Sequence, residues 1–141
     1  MTPLKTLLPG AAAALVLAAC TTPLAASIHA GRDPSVILVC PGGASDDFCT
    51  ALAGAVRAED PSRDVALTSR VQRTAPDTAV LTFVPAERAR DRLSGHLVWT
   101  DGRGDVRRGP MLALQVMDAE LTGPMFRSFA SQLLRYSALP L

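Results

Sequence analysis

The chain has 141 residues, of which 48% are hydrophobic and 19% are charged, and its formal net charge is +1. This length and apolar content indicate one small folded domain and argue against both a disordered chain and a multidomain protein. Every basic residue except Lys5 is an arginine, and beyond Lys5 the basic and acidic residues balance. A nucleic-acid partner is therefore not expected, because sequence-independent binding depends on excess positive charge.

Residues 1–19 have the pattern of a signal peptide. Lys5 supplies a positive charge, and Leu7–Ala19 follows as an apolar stretch rich in Ala and Leu. A membrane-spanning helix needs about 20 apolar residues, so this stretch is too short to span and suits a signal-peptide core.

The apolar core ends in Leu17-Ala18-Ala19-Cys20. This motif resembles the lipobox of bacterial lipoproteins. The resemblance implies that Cys20 becomes the lipidated first residue, and that Thr21, which is not Asp, does not retain the protein at the inner membrane. The alternative is an ordinary secretory signal cleaved after Ala26 or Ala30, which would leave a soluble periplasmic protein.

Residues 20–34 are predicted to be a flexible tether. They are mostly Thr, Pro, Ala, Ser and Gly, a composition that does not bury enough apolar surface to order itself. Such a segment has a typical reach of roughly 20 Å. A single folded domain is therefore expected over residues 35–141.

The domain is expected to begin with a strand and a helix. Val36–Val39 is an unbroken apolar run, which predicts a central strand covered on both faces. Pro41-Gly42-Gly43 predicts a turn, after which Ser45 is the expected N-cap of a helix that ends near Ala58. The helix carries an apolar stripe at a spacing of four residues: Phe48, Leu52 and Val56.

Three or four strands and a second helix are predicted next. The strands are expected over Val65–Gln72, Ala79–Val84, Leu93–Thr100 and Met111–Met117, with the chain resuming at Val106 after a hairpin turn at 101–105. Thr122 is the expected cap of the last helix, which has a wide apolar stripe: Phe126, Phe129, Ala130, Leu133 and Leu134.

This element order predicts an α+β fold, a two-layer sandwich with a mostly antiparallel sheet and both helices packed on it. Over Ser35 to Tyr136 the order resembles that of the small N-terminal α/β domain of the propeller protein of the Tol-Pal system. The resemblance implies a protein-docking module rather than an enzyme.

Cys40 and Cys49 are predicted to form a disulfide. They lie at the end of the first strand and in the first turn of the helix, in a chain exported to an oxidising compartment. The alternative, a redox-active pair, requires cysteines about two residues apart at a helix start, which this spacing does not provide.

No metal site, cofactor or catalytic centre is expected. His96 is the one histidine beyond the tether, and no metal-ligand spacing surrounds it. Ser94 lies on the same strand face as His96, which leaves a hydrolase-like periplasmic enzyme, soluble or anchored, as the alternative function. His96 is expected to face solvent.

Six arginines are the candidate docking face. At strand spacing they are predicted to converge on one exposed surface for an envelope protein or another anionic surface. They are Arg88, Arg90, Arg92, Arg103, Arg107 and Arg108. The alternative is a solvated edge whose mixed charges prevent aggregation, with docking at an uncovered sheet edge near Val65–Gln72 instead.

The function expected from these features is a binding or assembly accessory without catalysis. The protein is expected to be held at the periplasmic face of the outer membrane through the lipid on Cys20.

Overall fold

The computed structural model describes residues 35–71 and 73–141. The strands within them are β1 (Val36–Val39), β2 (Val65–Thr68), β3 (Ala79–Arg88), β4 (Arg92–Thr100), β5 (Val106–Arg108) and β6 (Leu112–Gln115). The helices are α1 (Asp47–Glu59) and α2 (Gly123–Ser137). The predicted signal peptide and tether, residues 1–34, lie outside the described residues.

The six strands form one mixed sheet. Its order is β2-β1-β3-β4-β5, and β6 pairs with β4 as well. β1 runs parallel to β2 and β3, whereas β3, β5 and β6 are all antiparallel to β4. The predicted α+β fold with a mostly antiparallel sheet is therefore confirmed.

Both helices pack on the same face of the sheet, as predicted. The strand residues that alternate onto this face, among them Leu38, Leu81 and Leu97, are fully buried and join the apolar stripes of α1 and α2 in one core. Burial of each such side chain contributes about 1.5–3 kcal/mol, so this single contiguous core is the main source of the domain's stability.

Phe48 of α1 lies at the centre of the core. Its ring centroid is 4.7 Å from that of Phe83 in β3 and 5.8 Å from that of Phe129 in α2. Gly95 in β4 makes room for this arrangement, because a Cβ at that position would lie 2.6 Å from the Phe83 ring. The aromatic cluster thus joins both helices to the sheet.

The opposite face of the sheet carries no described helix. Several of its residues, including Ile37, Val80 and Val98, are half-buried, although Val39 on the same face is buried. The prediction that Val36–Val39 is covered on both faces is therefore wrong, because helices cover β1 on one face and not on the other. An unbroken apolar run is typical of strands between two helical layers, but here Ile37 lies among apolar neighbours of the same open face.

Asp46, and not Ser45, caps α1. The Asp46 Oδ1 accepts a hydrogen bond of 2.9 Å from the Cys49 N–H. The Ser45 hydroxyl instead donates to the carbonyl of Gly42 at 2.8 Å, within a short 3-10 turn that precedes the helix. Gly43 has a φ of 55°, which the turn requires and glycine adopts without strain. This turn delays the start of α1 by one residue.

α1 ends at Glu59, followed by a turn held by Asp60. The Ser62 hydroxyl and the Arg63 guanidinium donate to the Asp60 carboxylate, the latter over 2.9 Å. These hydrogen bonds, together with one from the Ser62 N–H, lower the pKa of Asp60 below its ordinary value.

Three strands differ from the prediction by more than one residue. One of them is β6, which covers Leu112–Gln115 and not the predicted Met111–Met117. β2 ends at Thr68 instead of continuing toward Gln72, because the Thr68 hydroxyl bonds both the N–H and the carbonyl of Arg70 and bends the chain. β3 continues past Val84 to Arg88, with an irregularity in register between Pro85 and Glu87. This extension positions Arg88 at the end of the sheet.

Candidate docking surface

Cys40 and Cys49 form the predicted disulfide, with Cα atoms 5.7 Å apart. Both residues are fully buried. The bridge joins the end of β1 to the first turn of α1, beside the Asp46 cap. Neither sulfur is a free thiol in this state, so neither serves as a metal ligand or nucleophile.

Three of the six candidate arginines lie together where β3 turns into β4. Each is in an ion pair: Arg88 with Asp46, Arg90 with Glu120, and Arg92 with Glu87 and Asp91. We call the surface formed by Arg88, Arg90 and Arg92 the arginine end. Its positive charge is partly neutralised within the chain, so it is a mixed-charge surface rather than a purely basic patch.

The other three arginines lie elsewhere, so the predicted convergence is wrong. Arg107 and Arg108 pair with Trp99 and Val98 near the far end of β4, and Arg103 lies in the following hairpin turn. A strand of this length separates Arg92 from that turn by about 25–30 Å. Arg107 and Arg108 also alternate between the two faces of the sheet.

Arg88 is tied to the structure more closely than its neighbours. Its partner Asp46 caps α1, and the Asp46 side chain is only 12% exposed. We therefore expect Asp46→Ala to lower the free energy of unfolding by about 1–2 kcal/mol, because it removes the cap and the ion pair together. Asp47→Ala, one residue later and not the cap, is the matched control, with an expected loss below about 0.5 kcal/mol. Urea denaturation of the purified variants measures both, and equal losses would contradict the capping role.

His96 is half-buried in β4 and does not face solvent freely, which corrects the prediction. It pairs across the sheet with Val84, and both of its ring nitrogens are buried without a hydrogen-bond partner among the described residues. Ser94 shares its face but makes no hydrogen bond to the ring. A catalytic base is oriented by hydrogen bonds to its nucleophile and to a third group, so this geometry does not favour the hydrolase alternative.

An open groove of about 720 Å³ lies between α1 and α2. Small residues such as Ala51, Gly54 and Ala55 line much of it, and its charged residues are Asp47 and Arg127. It lies on the helical side of the domain, away from the sheet face that carries His96. The groove therefore does not bring the histidine together with a nucleophile.

The described residues contain neither a metal-binding cluster nor a helix that could span a membrane. Within residues 35–71 and 73–141, no three His, Cys, Asp or Glu side chains are grouped closely enough to hold a metal ion. In the same residues neither helix has the length and apolar character needed to cross a bilayer.

The two free edges of the sheet differ, a feature that the sequence analysis did not identify. At β2, the Arg57 guanidinium donates to the outward carbonyl of Val65 at 2.9 Å and partly blocks the edge predicted as an alternative docking site. At β6, Ala113 and Gln115 are exposed, and Met117 just beyond the strand is 87% exposed. In the sequence, this edge is distinguished by residues 111–117, which carry no charged side chain.

No protein-family model, no curated protein and no solved structure matches this chain.

Proposed function

We propose that this chain is a bacterial lipoprotein, held at the periplasmic face of the outer membrane by a lipid on Cys20, whose domain is a non-catalytic binding or assembly accessory. The lipobox-like segment ending in Cys20 supports the anchor. The Cys40–Cys49 disulfide supports an oxidising compartment such as the periplasm.

The position of the arginine end relative to Ser35 is the observation that carries the binding role. Ser35 precedes β1, and its carbonyl accepts from the Ala79 N–H, at the start of β3, over 3.1 Å. Arg88 ends the same strand, and ten residues of strand span about 30 Å. A domain tethered at Ser35 therefore presents the arginine end on the side away from its attachment.

This orientation favours an acidic protein surface as the partner over the headgroups of the anchoring membrane. Contact with those headgroups would require the domain to turn over on the tether that we propose for residues 20–34. A flexible segment of that length has a typical reach of roughly 20 Å, less than the length of the sheet. Confinement at the membrane also raises the effective concentration of other envelope proteins, so a weak contact suffices for binding.

Arg90 is the residue best placed to contact such a partner. Its side chain is 82% exposed and its partner Glu120 is 62% exposed. Exposed ion pairs of this kind contribute at most about 1 kcal/mol. A carboxylate of the partner protein can therefore replace Glu120 at little cost in stability, whereas Arg88 remains engaged with the Asp46 cap.

We expect Arg90→Glu in the full-length protein to reduce capture of its envelope partner by about tenfold, because it puts a like charge against the acidic surface. The measurement is formaldehyde crosslinking in cells followed by quantitative mass spectrometry of the captured proteins. Arg103→Glu is the matched control, since it makes the same change of charge at an exposed arginine on the opposite end of the sheet.

The control variant is expected to capture the partner as the wild type does. Undiminished capture by Arg90→Glu would mean that the arginine end does not bind the partner. Equal losses in both variants would mean that overall charge, and not this surface, governs the binding.

A further inference from the structure

We propose that the outer edge of β6 pairs with β6 of a second copy of this chain, antiparallel about Leu114, so that two sheets join into one. The pairing goes beyond the proposed function, since its main-chain bonds require neither the lipid on Cys20 nor the arginine side chains of the arginine end. Glu120, the ion-pair partner of Arg90, contributes only to the charge beside the strand. It makes the domain a self-associating module.

Two residues of β6 direct their backbone N–H and carbonyl groups away from β4. The Val116 N–H donates to the Asp91 carbonyl over 2.9 Å, which fixes which residues bond to β4. Successive residues of an antiparallel strand direct their N–H and carbonyl groups to alternate sides, so Leu114 also bonds to β4. Ala113 and Gln115 therefore direct theirs outward, and both residues are exposed.

This edge lacks the protection that natural edge strands usually have. Charged residues, prolines and blocking side chains normally prevent pairing with another chain. Residues 111–117 contain no charge, glycine or proline, in contrast to Arg107, Arg108 and Pro110 just before them. β2, at the other side of the sheet, is as short as β6, but its Val65 carbonyl is occupied by Arg57.

A two-fold axis through Leu114 matches this segment with itself. It sets Ala113 opposite Gln115 of the second copy, as a pair that exchanges both main-chain hydrogen bonds. It also sets Met111 opposite Met117 of the second copy, and these side chains are 54% and 87% exposed in the single chain. Their mutual burial removes from water the apolar surface at both ends of the strand.

Charge complementarity identifies a second copy, in antiparallel orientation, as the occupant. The chain before the uncharged segment is basic, with Arg107 and Arg108, and the chain after it is acidic, with Asp118 and Glu120. Arg108 and Glu120 lie equally far along the chain from Leu114. Antiparallel pairing therefore brings the basic flank of each copy toward the acidic flank of the other, whereas parallel pairing would bring like charges together.

Two charged double variants test the pairing and its register. A113E/Q115E sets carboxylates opposite each other across the axis, whereas A113K/Q115E sets each lysine opposite a glutamate of the second copy. Both variants place the same glutamate beside Arg92, the β4 neighbour of position 115, and position 113 lies opposite the uncharged Ser94 of β4. The measurement is co-purification of two differently tagged full-length copies produced in the same cells.

We expect wild-type copies to co-purify. The amount that co-purifies is expected to fall at least about tenfold in A113E/Q115E and to stay at the wild-type level in A113K/Q115E. Ala113→Pro is a further variant, expected to lose the signal because it removes an outward N–H while leaving the bonds to β4. It decides the test if A113E/Q115E does not fold by circular dichroism. The proposal is overturned if wild-type copies do not co-purify, if the like-charge or proline variant matches the wild type, or if A113K/Q115E loses the signal as A113E/Q115E does.

Discussion

Replacing Cys20 with Ser is expected to move the protein from the membrane pellet to the soluble periplasmic fraction. The substitution removes the thiol for which we propose acylation, while the apolar stretch of the predicted signal peptide is unchanged. A single acyl chain gives only marginal membrane binding, and two or more anchor a protein stably, so loss of a multiply acylated residue changes the distribution almost completely.

Immunoblotting of osmotic-shock and membrane fractions measures this shift. Thr21→Ser is the matched control, because it makes a small substitution next to the cysteine and leaves the thiol in place. If the wild-type protein is already released by osmotic shock, the anchor is absent. The alternative of an ordinary signal peptide, cleaved after Ala26 or Ala30, would then account for export.

Removing the disulfide with the double substitution Cys40→Ala and Cys49→Ala is expected to lower the free energy of unfolding by about 2–3 kcal/mol. The bridge closes a loop of about ten residues, and its loss restores that conformational freedom to the unfolded chain. In a domain of about 100 residues this corresponds to a fall in Tm of roughly 10–20 °C. Both alanines fill buried positions and leave no unpaired thiol.

Thermal unfolding with and without a reductant measures the effect. Reductant is expected to lower the Tm of the wild type but not that of the double variant, which serves as the control. Detection of the covalent link by mass spectrometry of non-reduced protein requires a protease that cleaves at Asp46 or Asp47, because no tryptic site lies between the two cysteines. Free alkylation of both thiols in native extracts would contradict the bridge.

The helices and the disulfide were predictable because their determinants are close together in the chain. The spacing of Phe48, Leu52 and Val56 defines one apolar face regardless of what that face contacts, and Cys40 and Cys49 are separated by one turn and the start of one helix. The cap of α1 was misplaced by one residue because the 3-10 turn after Cys40 has no distinct sequence pattern.

The arginine end and the state of His96 depend on strand pairing, which is not local. Alternation at strand spacing placed six arginines together, but the antiparallel course of β4 and β5 separates three of them from the rest along the strand. The burial of the His96 ring likewise depends on neighbouring strands, so its own alternation with Leu97 was not sufficient to predict it.

The sequence by itself determined the two amphipathic helices, the α+β class and the cysteine pair, since each follows from residue type and short-range spacing. Only the tertiary structure decided that β1 lies between β2 and β3 and that the uncharged segment around Leu114 forms an outer edge. The physical reason is that strand order and register are chosen by packing between distant residues, such as Leu38 against Leu67 and Leu81. A period-two pattern states which residues share a face, but not which strand lies beside them or what is left exposed.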